Sequence, residues 1–331
     1  MKIYGSKNWK IWGAGISGLI LFLIAIFFGT AQFARFNLRK KYPPPGKVIS
    51  LSDGRGLHVI CEGEGSPTVL LESGLNEFSL HWSLLQPLLS RDTRTCAYDR
   101  AGFGWSDISD RASTVENQVS DLEEMIRQMA NRQPLILIGH SYGSFLVRLY
   151  ALRNPQFVKA IILLDPASEN MADRIDGYED AISSAVVQFG RLELIASLGL
   201  MAMATEEIPK GYLSGISLDF YRATLASGHF FQAASAETNE MIPNIMKMKS
   251  IASDNLSNIP VFIISRGKPD PIPGLSETSS KNLEKTWIDL QLDLANRLYA
   301  KHLIATKSGH SINLQEPEFV YEVVRVNFLH K

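Results

Sequence analysis

Within the 331 residues, one short stretch limits the fold more than any other. The run Leu135-Ile136-Leu137-Ile138, apolar throughout and half β-branched, reads as a buried strand, and Phe145, Leu146, Leu149 and Tyr150 set an apolar stripe on a helix just beyond it. Between them stands Gly139-His140-Ser141-Tyr142-Gly143. A serine on so tight a strand-to-helix turn is forced into a strained backbone conformation, and glycines flank it because a Cβ there would collide with the neighbouring strand and helix. The strain aims the Ser141 hydroxyl out of the fold, above the positive end of the helix that follows. The rival reading is a turn that only packs; the strand before it and the helix after it weigh against that.

Around this turn the chain alternates. Short strands are expected at residues 48–51, 57–61, 68–72 and 94–98, then at 158–164, 260–265 and 302–305. Helices are expected through Trp82 to Leu89, from a capping box at Ser113-Thr114-Val115-Glu116 to about Met129, from Leu283 to Leu298, and after Pro317. Alternation of this kind implies right-handed crossovers and a mostly parallel sheet covered on both faces. The stretch at about 167–255 carries helical patterns and no convincing strand. It is too long for a loop and reads as an inserted helical cap.

The first 46 residues are different in kind. No charge occurs from Ile11 to Ala34, a length sufficient to cross a bilayer as a helix, for which about 20 residues suffice. A single-pass membrane anchor is the expectation; a cleaved signal peptide is the alternative, since Gly29-Thr30-Ala31 offers small residues for cleavage. Lys2, Lys7 and Lys10 face Arg35, Arg39, Lys40 and Lys41 across the span, so the charge rule sets no orientation. Pro43-Pro44-Pro45-Gly46 stiffens the connection to a catalytic domain at residues 47–331. With a net charge of −1 there is no basic field, and nucleic acid is not an expected partner. The two cysteines, Cys61 and Cys96, lie in separate strands without the spacing of a zinc site.

A serine hydroxyl needs a base within reach and a third group to orient that base. Of the seven histidines, His140 shares the serine turn and should point away from Oγ, while His58, His81, His229, His302 and His330 sit in ordinary helical or strand contexts. His310 follows the last strand in Lys307-Ser308-Gly309-His310, on a loop at the carboxyl end of the sheet, where open α/β sheets place their sites. Two carboxylates could orient it. Asp270 follows the strand at 260–265 through Arg266-Gly267-Lys268-Pro269 and is favoured because its loop can turn toward His310; Asp165, which ends the strand before the cap, is the alternative. Oxyanion donors are expected at the N–H groups of Tyr142 and Leu75, the latter in the loop Ser73-Gly74-Leu75.

These residues resemble the α/β-hydrolase family from Lys47 to about Phe328. The markers are Gly139-His140-Ser141-Tyr142-Gly143, the loop from Tyr98 to Ser106, Gly267-Lys268-Pro269-Asp270, and Gly309-His310 followed by Pro317. The resemblance implies an α/β-hydrolase fold: an eight-stranded, mostly parallel sheet with an antiparallel second strand, a Ser141-Asp270-His310 triad, and a cap over the pocket. It also implies that Cys61 and Cys96 lie on neighbouring strands, with their bonding left open. Ser73-Gly74 stands where many members have His-Gly, and the helical stretch with Trp287 and Leu290 leaves room for Asp165 as the acid. A serine nucleophile argues against the epoxide hydrolases and dehalogenases of this fold, which attack with aspartate. With no phosphate loop or metal cluster, no cofactor is expected. The expected reaction is hydrolysis of a small acyl ester, with an amidase or aminopeptidase, a lipid hydrolase, or an inactive tethered scaffold as rivals. An amine-binding acidic cluster in the cap would favour the aminopeptidase; Glu206, Glu207, Glu237 and Glu240 are the candidates, read first as solvated side chains. Cap side chains such as Phe189, Leu192, Leu194, Leu198, Leu200, Phe220, Tyr221, Phe230 and Phe231 read as core, some of them able to line an acyl pocket.

Overall fold

The computed structural model describes residues 6–129, 134–251, 256 and 258–329, with side chains described from Ala14 onward; His330 and part of the expected cap segment at 252–255 lie outside these. Eight strands form one sheet in the order β1-β2-β4-β3-β5-β6-β7-β8. They are β1 (Lys47–Ser50), β2 (Gly56–Glu62), β3 (Thr68–Glu72), β4 (Thr95–Tyr98), β5 (Leu135–His140), β6 (Val158–Leu164), β7 (Val261–Arg266) and β8 (Lys301–Ala305). β2 runs antiparallel to both β1 and β4, and the remaining pairs are parallel.

Helices in chain order are α1 (Ser6–Lys41), α2 (Gln86–Leu89), α3 (Val115–Met129), α4 (Gly143–Arg153), α5 (Met171–Arg174), α6 (Tyr178–Ser197), α7 (Leu200–Met203), α8 (Gly215–Leu225), α9 (Gly228–Asn239), α10 (Met241–Ser250), α11 (Glu277–Arg297), α12 (Ile312–Gln315) and α13 (Pro317–Phe328). The helix expected through Trp82 to Leu89 is instead a 3₁₀ turn at Ser79–Trp82 followed by the short α2. α3 is capped one residue later than the expected box: the Thr114 hydroxyl accepts from the Asn117 N–H, and Glu116 turns outward to pair with Lys247.

Strand side chains alternate between two cores, as the pleat requires. Leu70, Leu135, Leu137, Ile161, Leu163 and Ile263 join Leu122, Phe145, Leu149, Leu290 and Leu294 from α3, α4 and α11. On the other face Val69, Leu71, Ile136, Ile138 and Ile162 pack with Trp82, Leu85, Val320 and Val324. A third apolar cluster joins the cap to the loops beneath it through Phe78, Phe103, Leu225, Phe230 and Phe231. Parallel strands buried on both faces leave the carboxyl ends of β3, β5, β6, β7 and β8 as the one rim where loops can carry chemistry.

α1 projects from this body. Within its stretch from Ala14 to Lys41, an 18-residue window has a mean hydropathy of 2.2 and is almost wholly unburied, and the helix is long and apolar enough to cross a membrane. Cys61 and Cys96 sit directly opposite each other in the β2/β4 register and form a disulfide.

Candidate active site

Ser141 sits between β5 and α4 with φ at +48°, the left-handed region that a side chain enters only when its surroundings enforce it. Its N–H donates to the Leu164 carbonyl at 2.9 Å, tying the elbow to β6. The flanking glycines have the expected cause. A Cβ at Gly143 would lie 2.6 Å from the carbonyl oxygens of Glu72 and Ser73, and one at Gly139 would lie 2.8 Å from Val147 Cγ2.

His310 Nε2 stands 3.0 Å from Ser141 Oγ. Its Nδ1 stands 2.6 Å from Asp165 Oδ2. With Nδ1–H donating to the carboxylate, Nε2 is left to accept the serine proton. The favoured acid is therefore corrected. Asp270 Oδ2 accepts the backbone N–H of His310 at 2.8 Å and does not meet the ring. The reason lies in the strand ends. Asp165 terminates β6 at φ +40°, beside β5 and fully buried, while Asp270 lies four residues beyond β7 and its N–H is held by Glu284. Asp165 Oδ1 accepts from Trp287 Nε1 at 2.9 Å and from the Arg266 N–H at 3.0 Å, so the carboxylate is fixed before it meets the imidazole. Burial raises its pKa, but the His310 ring and the Arg266 guanidinium more than offset that and hold it below the usual carboxylate range.

His140, His58 and His302 take structural places. His140 points away from Oγ: Nδ1 meets Glu77 Oε2 at 2.7 Å and Nε2 donates to the His310 carbonyl at 2.9 Å. Glu77 also accepts the Gly74 N–H at 2.8 Å, so one pair braces both the loop after β3 and the loop that carries His310. Burial opposes the imidazolium, yet the Glu77 carboxylate holds the His140 pKa above its ordinary value. His58 is buried against Asp99, and His302 meets the Ser265 hydroxyl at 2.7 Å.

Leu75 follows β3 and lines the same cavity as Ser141 and His310, while Tyr142 is the N-cap of α4. Among the described residues, the N–H groups of both find no protein acceptor. Arg100 supports this loop from below, donating to the carbonyls of Ser73 and Gly74 at 2.7 and 2.6 Å while paired with Glu72 and Glu237. Sequence reasoning did not find the Glu77–His140 brace or the Arg100 network, because their members are far apart in the chain and carry no spacing signal.

The cavity above Ser141 holds about 650 Å³ and is lined on the cap side by Ile182, Ala185, Phe189, Leu192 and Tyr212. Of the cap side chains read as core, Phe220, Tyr221, Phe230 and Phe231 belong to the third cluster, and Leu194 is exposed. Among the described residues no group of three or more His, Cys, Asp or Glu side chains is arranged to hold a metal ion.

A family model described as the alpha/beta hydrolase fold matches residues 67–193, which span β3 to the last turns of α6 and include Ser141. The strand order and the elbow agree with it. The chain has the α/β-hydrolase fold. Proteins similar in sequence include an uncharacterised protein of Bacillus subtilis, YqjL, 23% identical over 263 residues that cover 78% of this chain and 83% of that protein. A cis-3-alkyl-4-alkyloxetan-2-one decarboxylase of Shewanella oneidensis is 30% identical over 125 residues, covering 37% of this chain and 39% of the relative. Among solved structures, a thermophilic esterase from Thermogutta terrifontis superposes with a TM-score of 0.61 at 17% identity, covering 86% of this chain and all of that one. The epoxide hydrolase CorEH gives 0.63 at 16%, covering 85% and 97%. Likeness at this level establishes the fold, and the same fold hosts several chemistries.

Proposed function

We propose that this chain is a membrane-tethered serine hydrolase that cleaves carboxylic esters through an acyl-enzyme. Ser141 Oγ attacks the ester carbonyl while His310 Nε2 takes its proton. Asp165 orients the ring and stabilises the imidazolium that forms. The tetrahedral oxyanion is received by the N–H groups of Leu75 and Tyr142, each worth about 3 kcal/mol of transition-state stabilisation by analogy with other such donors. His310 then protonates the leaving alkoxide. Water, deprotonated by the same nitrogen, releases the acid and restores Ser141.

The observation that carries this reading is the relay of two hydrogen bonds, Asp165 to His310 at 2.6 Å and His310 to Ser141 at 3.0 Å, opening on an apolar cavity. The aminopeptidase alternative loses support in the cap. Glu237 is fully buried, bound to Arg100, Gln118 and the Asn76 N–H, and Glu206 pairs with Arg222, so neither carboxylate is left to receive a free amine. An inactive scaffold would not need an imidazole held at hydrogen-bond distance from a strained serine.

The tether is α1, and the Cys61–Cys96 bridge favours placing the catalytic domain on the oxidising side of the membrane. The test is turnover of short-chain aryl esters by the full chain in detergent. Activity lost in Ser141→Ala and in His310→Ala supports the reading; turnover that survives both substitutions, or is absent from the folded protein, refutes it.

A further inference from the structure

α6 separates two environments. One face, with Ile182, Ala185, Phe189 and Leu192, lines the cavity above Ser141. The opposite face carries Val187, Leu194 and Ile195 at helical spacing, exposed by 55%, 61% and 40%, and Met203 at the end of α7 is exposed by 49%. Four apolar side chains left in water on one corner of the cap call for a covering partner.

The neighbouring element identifies that partner. α1 docks on this same corner: Gln32 Nε2 donates to the Ser197 carbonyl at 2.7 Å, and Arg35 donates to it at 3.2 Å. Gly199 lies so close that a Cβ would stand 2.7 Å from the Ala31 carbonyl group. Ala31 is wholly buried there, three residues past Phe28, where the long apolar run of α1 ends. At 1.5 Å per residue the uncharged span from Ile11 to Ala34 extends about 36 Å, more than the roughly 30 Å of a hydrocarbon core, so the docking point falls at its boundary. Phe33 and Phe36 are exposed just beyond, and Arg35, Arg39, Lys40 and Lys41 follow at the depth where lipid headgroups lie. The C-terminal end of α6 and the start of α7 thus meet α1 where its apolar run gives way to charge.

We infer that the outer face of α6 and the end of α7 rest in the boundary between headgroups and acyl chains of the bilayer that α1 crosses, so that the cap is a wall between membrane and catalytic cavity. Building on the proposed ester hydrolysis, the favoured substrates are lipid-soluble esters that partition into that bilayer before they reach Ser141.

Two measurements on the full-length protein in phosphatidylcholine–phosphatidylglycerol vesicles test this. In the first, an environment-sensitive fluorophore is attached at Leu194→Cys, at Met203→Cys and, as the reference, at Ile304→Cys on the far sheet edge, which is exposed by 54%. Lipids brominated on the upper acyl chain should quench the first two and spare the third. Equal quenching at all three, or crosslinking of Leu194→Cys between copies without quenching, overturns the inference. In the second, the double variant Leu194→Asp, Met203→Asp should raise the apparent KM for a long-chain ester held in the vesicles about tenfold, the equivalent of a lost partitioning contact. Its turnover of a water-soluble short-chain ester should be unchanged; unchanged kinetics on both substrates overturns the inference. Absence of Ser141-dependent turnover on either substrate would refute the ester reading, while the quenching result still decides the surface.

Discussion

At His310 two carboxylates divide the work, Asp165 receiving the ring N–H and Asp270 the backbone N–H. Removing the charge from Asp165 leaves the imidazole free to take the wrong tautomer, so Asp165→Asn should lower kcat on an aryl ester by about 10⁴. Asp270→Asn keeps the ring partner and should cost only about tenfold, a loop-positioning effect. Steady-state kinetics of the two variants side by side check the assignment, and a reversed ranking would return the role to Asp270. Asp165 also ties stability to pH. Its folded pKa lies below the ordinary 3.8, so its contribution is present above that value and is lost as pH falls through the folded pKa. Urea titrations should therefore show the gap between the parent and Asp165→Asn closing at acid pH. His140 runs the other way. Its pKa is raised from 6.5, so the Glu77–His140 brace is fully present below that pH and fades as pH rises through the folded value, and the stability lost in His140→Gln should shrink in alkali.

Among the elements, the loop after β3 depends on charges buried beneath it. Arg100 is almost completely enclosed, with Glu72 and Glu237 as its partners, and Arg100→Met would leave two carboxylates buried without their cation. Breaking a pair of this kind costs about 3–5 kcal/mol, measurable as a lower denaturant midpoint. The eight strands were legible because each carries a short apolar run bounded by turn residues, and the elbow because glycine is the only residue that fits where the Glu72 and Ser73 carbonyls crowd Gly143. Ser141 and His310 were legible from the loops they occupy. The acid was not. Asp165 and Asp270 both follow strands, and what separates them is Trp287 reaching back from α11 to fix Asp165, a contact spanning more than a hundred residues. The cap was legible as helical, yet which of its faces meets the cavity depended on packing that periodicity alone leaves undecided.

At the scale of the whole molecule, the proposed reading joins an apolar helix, a docked cap and a disulfide-bridged sheet into a catalytic domain held close to a lipid surface. On that account the full chain should remain in the pellet after carbonate extraction of membranes, and thiol alkylation without reductant should leave Cys61 and Cys96 unmodified in the folded protein. The central claim, a serine made nucleophilic by His310, is tested most directly by phosphonylation. The full-length protein treated with a fluorophosphonate, digested and analysed by mass spectrometry should carry one adduct, on Ser141, that disappears in folded Ser141→Ala and forms far more slowly in folded His310→Ala. A folded protein that takes no adduct, or takes it on another residue, would contradict the account.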